Sequence, residues 1–225
     1  MMRDLEDALR RGLTELTLAE NDNQVASLLD YLALLQKWNK VYNLTAVRDP
    51  TEMLTHHLLD CMAVISPLRT QLAVLCAAQT DVASGAPRWR LLDVGSGAGL
   101  PGIVIAILCP EIEVDCVDAV AKKVGFINQV ALTLHLKNLH GLHSRVEDLA
   151  GKYDIISSRA FASLSDFVSL SEADLAATGV WMAMKGRQPF DEILALPTSV
   201  KVFHVEQLRV PGLGAERCIV WMRKI

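Results

Sequence analysis

The chain has 225 residues, 51% of them hydrophobic and 21% charged, with a formal net charge of −4. That length buries a substantial core in one main domain, and the composition, without repeats or polar low-complexity tracts, excludes a disordered chain and a solenoid. The negative balance excludes a protein that coats nucleic acid by charge alone, which needs many lysines and arginines on one face.

In chain order, the N-terminal MMRDLEDALRRGL mixes acids and bases at helical spacing without an apolar signal core, and residues 3–18 read as a helix. Val25, Leu28, Leu29, Leu32, Leu35 and Trp38 form one apolar stripe at three- and four-residue spacings, which predicts an amphipathic helix. A second helical pattern follows Asp49-Pro50 and includes Met53, Leu54, Leu58 and Cys61. Together these predict a helical cap over residues 1–75. Residues 76–89, small, polar and containing glycine and proline, predict a linker. No stretch is read as reaching the roughly 18 apolar residues of a membrane span, so a cytoplasmic protein without a membrane partner is expected. The five cysteines form no C-x-x-C pair, and His56-His57 and His140/His143 lack a cysteine or carboxylate at a spacing typical of zinc. They predict reduced core thiols and no metal.

From Arg90 to the end, a third region (90–225) alternates short apolar runs with helical ones. The runs at 91–94, 114–117, 155–157, 180–184 and 218–222 predict buried strands, with a further strand region just before Ser144. Helices are expected near 101–108, 122–136, 164–177 and 190–196. Such alternation implies an α/β fold, a doubly wound, mostly parallel sheet covered on both faces. Runs 200–208 and 218–222 are separated by too short a gap for a crossover helix, so the sheet should end in an antiparallel hairpin. From residue 185 onward there are seven bases and four acids, against eight and eleven in residues 1–89, so any basic patch belongs to the C-terminal part.

The most informative segment is Leu91-Leu92-Asp93-Val94-Gly95-Ser96-Gly97-Ala98-Gly99-Leu100-Pro101-Gly102. It reads as a strand, a glycine turn and a helix start, where a nucleotide-like cofactor meets the carboxyl end of the strand. Two cofactor classes compete. Gly97 to Gly102 also satisfies the dinucleotide G-x-G-x-x-G pattern, which would make the chain an NAD(P)-dependent oxidoreductase. Asp93, two positions before the first glycine, is unwelcome beside a pyrophosphate but suits the ammonium side of a methionine-type ligand, and it tilts the choice toward S-adenosylmethionine. Its alternative role is to hydrogen-bond the N–H groups of the turn. Asp118 ends the next strand, placed to accept from ribose hydroxyls in either class. Ser144-Arg145-Val146-Glu147-Asp148 offers N–H groups and a carboxylate to an adenine edge, or simply starts a helix with acids in its first turn. Arg159, in Ser158-Arg159-Ala160-Phe161, lies at the same edge of the sheet as the glycine turn.

In order, these segments resemble the bacterial 16S ribosomal RNA small-subunit methyltransferase G family, also called glucose-inhibited division protein B. The match rests on Lys37-Trp38-Asn39-Lys40-Val41-Tyr42-Asn43-Leu44-Thr45, His57-Leu58-Leu59-Asp60, the Asp93 to Gly102 run, Ser144 to Glu147, Ser158 to Ala162 and Lys185-Gly186. The resemblance implies a Rossmann-like class I methyltransferase domain over 90–225. It would use S-adenosylmethionine, yield S-adenosylhomocysteine, and methylate N7 of a guanine in the 530 loop of 16S rRNA; the 30S subunit or its precursor is the expected partner, with free RNA left open as the substrate. By matching position it implies cofactor contacts at Gly95, Leu100, Val146, Glu147 and Arg159, joined from the glycine run and the second strand by Asp93, Ser96, Gly97 and Asp118. Two departures stand out: Cys61 where the family usually has serine, and a longer segment between Arg69 and Arg90.

Guanine N7 presents an available lone pair, so no residue is assigned as acid or base, and alignment should dominate. Arg159 and Lys185 are the catalytic candidates, for holding RNA or stabilising charge. Arg187 is a candidate phosphate contact, and Asn39 and Asn43 are candidates for reading the nucleotide or for capping backbone. A non-catalytic ribosome-binding factor on the same fold is the third reading, and a monomer is expected.

Overall fold

The computed structural model describes residues 2–78 and 89–225. Helix α1 (Met2–Glu15) is followed by α2 (Asp22–Tyr42), whose start is a capping box in which Asn21 accepts from the Gln24 N–H and the Gln24 side chain accepts from Asn21 N–H. Next come α3 (Pro50–Met53), a π-helical turn (Leu54–Leu59), α4 (Asp60–Met62) and α5 (Ile65–Ala78). Asp49 starts α3 by accepting from the Thr51 and Glu52 N–H groups, ahead of a proline whose missing N–H costs nothing there. The run Pro50–Ala77 is long and apolar enough, by length and composition, to cross a membrane, which a reading by consecutive apolar residues overlooks. Met53, Leu54, Leu58, Met62, Val64, Ile65 and Leu68 are instead spent on the core.

Residues 79–88 of the expected linker over 76–89 lie outside the described residues; at its ends helix continues to Ala78 and strand begins at Trp89, so those positions belong to elements rather than to a linker. Seven strands follow: β1 (Trp89–Val94), β2 (Ile112–Asp118), β3 (Leu139–His143), β4 (Tyr153–Arg159), β5 (Leu175–Lys185), β6 (Val200–Leu208) and β7 (Arg217–Lys224). They form one sheet of order β3-β2-β1-β4-β5-β7-β6, parallel except for β7, which runs antiparallel to both β5 and β6 as the short terminal gap required. Intervening helices are α6 (Gly102–Leu108), α7 (Ala121–Thr133), α8 (Leu164–Ser171) and α9 (Phe190–Leu194). The helix expected over 164–177 is shorter. It stops at Ser171, and Leu175 is already paired with Tyr153, because strand pairing outweighs the helical propensity of the alanines that follow.

Alternate residues of each strand serve opposite faces. Leu91, Val114, Cys116, Ile155, Val180, Met182 and Trp221 join the cap helices, α6 and α7 in one cluster, while Leu92, Val94, Val117, Ile156, Trp181 and Val220 pack with α8 in another. Every residue of α6 is buried, as an all-apolar helix requires. The cap satisfies carbonyls at its C-terminal end: Gln24 donates to Ile107 O (3.1 Å) and Arg69 to Leu108 O (2.8 Å).

Candidate functional site

β1 lies between β2 and β4, so the chain winds outward in both directions from the β1–β4 pair. At such a switch point the turns leaving the strands diverge and leave a crevice at the carboxyl ends. Here it holds a groove of about 440 Å³, lined by the glycine turn at Gly95, by Asp118 and Lys123, by Arg145, Val146 and Glu147, and by Phe161. The turn has the shape its composition demands. Gly95 sits at φ +65°, and a Cβ there would run into the Phe161 ring that covers it.

Asp93, expected to meet the cofactor directly or through water or else to brace the turn, is not among the residues that line this groove. It is fully buried; its carboxylate accepts from the Gly102 N–H (2.9 Å) and the Ser157 hydroxyl (3.0 Å), tying the start of α6 to β1 and β4. Burial pushes its pKa up to about 7 against the pull of those two donors. A Cβ on Gly102 would strike Cys116 Sγ and crowd Asp93, so this brace works only with glycine at that position. Asp118 does face the groove. It accepts from Gly97 N–H (3.0 Å), Val120 N–H (2.9 Å) and Lys123 (3.3 Å), leaving about one of a carboxylate's roughly four acceptor positions for a ligand. From the cap, Tyr31 donates to Ala98 O (2.9 Å) and pins the turn from behind.

A smaller cavity of about 230 Å³ shares Gly95, Lys123 and Ala160 with the groove and is further lined by Thr45, His57, Ser96, Gly97, Leu100 and Arg159. Thr45 Oγ1 and His57 Nε2 are 2.8 Å apart, and burial followed by the nearby Arg159 charge holds the His57 pKa below the usual imidazole range. Gly95, Ser96, Gly97, Leu100, Asp118, Val146, Glu147 and Arg159 therefore all meet in these two connected spaces.

The expected substrate contacts divide. Asn39 is buried and is a backbone clamp, accepting from Thr45 N–H (2.9 Å) and donating to Val47 O (3.2 Å), so it shapes the loop and presents nothing to a nucleotide. Asn43 closes α2 in the left-handed region (φ 49°) and accepts from Arg48. Lys185 pairs with Glu192 (2.8 Å) and opens, with the exposed Arg187, onto a wide cleft of about 770 Å³. Arg159 is joined to Asp60 (3.1 Å) and the His56 carbonyl (3.1 Å). Sequence reasoning gave no role to Lys123, Thr45, His57, Asp60 or Arg217. Thr45, His57 and Asp60 stood inside the quoted strings, whereas Arg217 meets Asp60 across 157 residues of chain and leaves no local signal.

A family model described as rRNA small subunit methyltransferase G (GidB) matches residues 24–220. A ribosomal RNA small subunit methyltransferase G from Albidiferax ferrireducens is 68% identical over 225 residues, covering 99% of each chain. Another from Acidovorax sp. (strain JS42) is 61% identical over 98% of this chain and 96% of its own length. Among solved structures, TrmN from Thermus thermophilus superposes with a TM-score of 0.52 at 19% identity, over 76% of this chain and 53% of that one, a likeness of fold alone.

Proposed function

The chain belongs to the rRNA small subunit methyltransferase G family, and from that premise we propose that it transfers the methyl group of S-adenosylmethionine to N7 of a guanine in the 530 loop of 16S rRNA. Its fold is the Rossmann-like α/β fold of class I methyltransferases, and the family sets aside the dinucleotide oxidoreductase that the glycine run alone had left open. The carrying observation is the contiguity of the two cavities at the strand-switch point: one has the volume of a cofactor site, and the other adds polar groups from the cap beside it.

The residues fit the cofactor. The remaining acceptor position of Asp118 is placed for a ribose hydroxyl, and Val94, Val146, Phe161 and Leu170 supply apolar walls for a flat base. Val146 and Glu147 line the same groove, where an N–H and a carboxylate suit the polar atoms of an adenine. When bound, the cofactor supplies an electrophilic methyl group on a sulfonium and leaves as S-adenosylhomocysteine. What the chain supplies is alignment, since N7 needs no proton removed. The guanine reaches the smaller cavity as an unstacked base. Burial and the nearby Arg159 charge lower the His57 pKa, which favours the neutral ring beside the smaller cavity. Arg159 and Lys185 hold the RNA; neither acts as an acid or base.

The same reading makes the protein a cytoplasmic monomer acting on the 30S particle or its precursor. In it the cap (1–75) and the methyltransferase unit (90–225) work as one, supported by the single apolar cluster that spans both. Incubating the protein with radiolabelled S-adenosylmethionine and 30S particles from a strain lacking the modification tests it: label in 16S RNA is expected. Cofactor binding without label would favour the non-catalytic factor.

A further inference from the structure

Beyond the smaller cavity, and sharing Arg159 and Ala160 with it, lies a third of about 380 Å³ whose charged lining is Asp60, Arg159, Lys185 and Arg217. These side chains come from four separate elements: α4 in the cap, the carboxyl ends of β4 and β5, and the start of β7. Asp60 is buried and holds one guanidinium on each oxygen, Arg217 Nε on Oδ1 at 2.8 Å and Arg159 Nη1 on Oδ2 at 3.1 Å. One carboxylate thus holds two like charges side by side. Lys185 pairs with Glu192, so three cations stand against two carboxylates and the wall keeps one positive charge in excess.

Among the described residues, the guanidiniums also keep donors without a partner. Arg159 spends Nη1 on Asp60 and the His56 carbonyl, and Arg217 spends Nε on Asp60 and Nη1 on the Glu216 carbonyl, so three of the five N–H groups of each remain. About a quarter of each side chain is exposed, at 23% and 24%. Two oriented forks with spare N–H groups, beside a lysine and one cavity away from the point of methyl transfer, suit a tetrahedral oxyanion that takes several donors at once.

We propose that this cavity is a phosphate socket: Arg159, Arg217 and Lys185 hold a backbone phosphate of the RNA next to the methylated guanine, and Asp60 is the positioning residue that aims the two guanidiniums. The inference rests on the RNA methyltransferase reading. It gives that reading a means of anchoring the strand despite the negative overall charge, because a locally positive socket needs no basic surface.

The test compares wild type, Arg217→Ala and Arg217→Lys on 30S particles lacking the modification, over a series of salt concentrations, with calorimetric S-adenosylmethionine affinity measured alongside. Arg217→Ala is expected to raise KM for the particle about 10-fold and to flatten the logarithmic salt slope by about 1, the loss of one phosphate contact, while cofactor affinity stays as in wild type. Arg217→Lys, which keeps the charge but not the fork, should retain most of the slope and fall between the two in KM; it also decides the matter by the same readouts if the alanine variant does not fold. An unchanged KM and slope would overturn the socket, as would a loss of cofactor affinity in proportion to the loss of activity, the mark of a merely structural arginine. Failure of wild type itself to label 16S RNA would instead overturn the underlying reading.

Discussion

In the groove proposed for the cofactor, walls are made mainly by strand ends and the turns that directly follow them, such as Val94 and Gly95 after β1 and Asp118 to Lys123 after β2. On the side of the proposed socket, Asp60, Arg159 and Arg217 converge from elements separated by 99 and 157 residues. The first wall is held by backbone N–H groups donating to buried carboxylates, and the second by one carboxylate shared between two cations. The difference teaches that the groove is built mainly by the turns that follow β1 to β4, whereas the proposed socket exists only when the cap is docked. Each can be broken without the other.

The largest effect is expected at the proposed socket. Asp60→Asn removes the charge that holds two guanidiniums together and should lower stability by about 3 kcal/mol in denaturant unfolding. Methyl transfer to 30S particles should fall more than cofactor binding does. Asp93→Ala strikes the other wall. Orphaning the Gly102 N–H and the Ser157 hydroxyl inside the core should cost about 2–3 kcal/mol and weaken S-adenosylmethionine binding, since the turn loses its brace.

Asp93→Asn sharpens the comparison through pH. The folded carboxyl holds its proton up to about 7 whereas an unfolded one releases it near 3.8, so the folded state is favoured at the acid end and this contribution is lost as pH rises between those values. Urea midpoints at pH 5 and pH 7.5 should therefore differ less in Asp93→Asn than in wild type. The smallest change is Tyr31→Phe. It removes one buried hydrogen bond to Ala98 O and should cost about 1 kcal/mol, read in thermal melts.

The same division governs how much was legible in the sequence. Strands, the terminal hairpin and the glycine turn follow from short-range patterns: apolar runs, a gap too short for a crossover, and glycines where the chain must turn left-handed. Asp93 was singled out from spacing, yet its duty was the bracing one, because spacing places a carboxylate near a turn without saying which way it faces. Asn39 and Asn43 read as polar groups near a helix end; the Asn39 side chain serves the backbone, as that position favours, while the Asn43 side chain accepts from Arg48. His57 and Asp60 lay in a recognised string without a role, since the π-helical turn between α3 and α4 decides what they meet. Arg217 was invisible, being one arginine at the start of a strand until folding brings Asp60 to it.

The claim that both walls serve one reaction is tested most directly by mass spectrometry of the 530-loop fragment of 16S RNA from cells with the gene intact, deleted and restored. The account predicts one methyl group on the guanine in the intact and restored strains, at N7, and none in the deletion. A fragment whose mass does not change on deletion would contradict it.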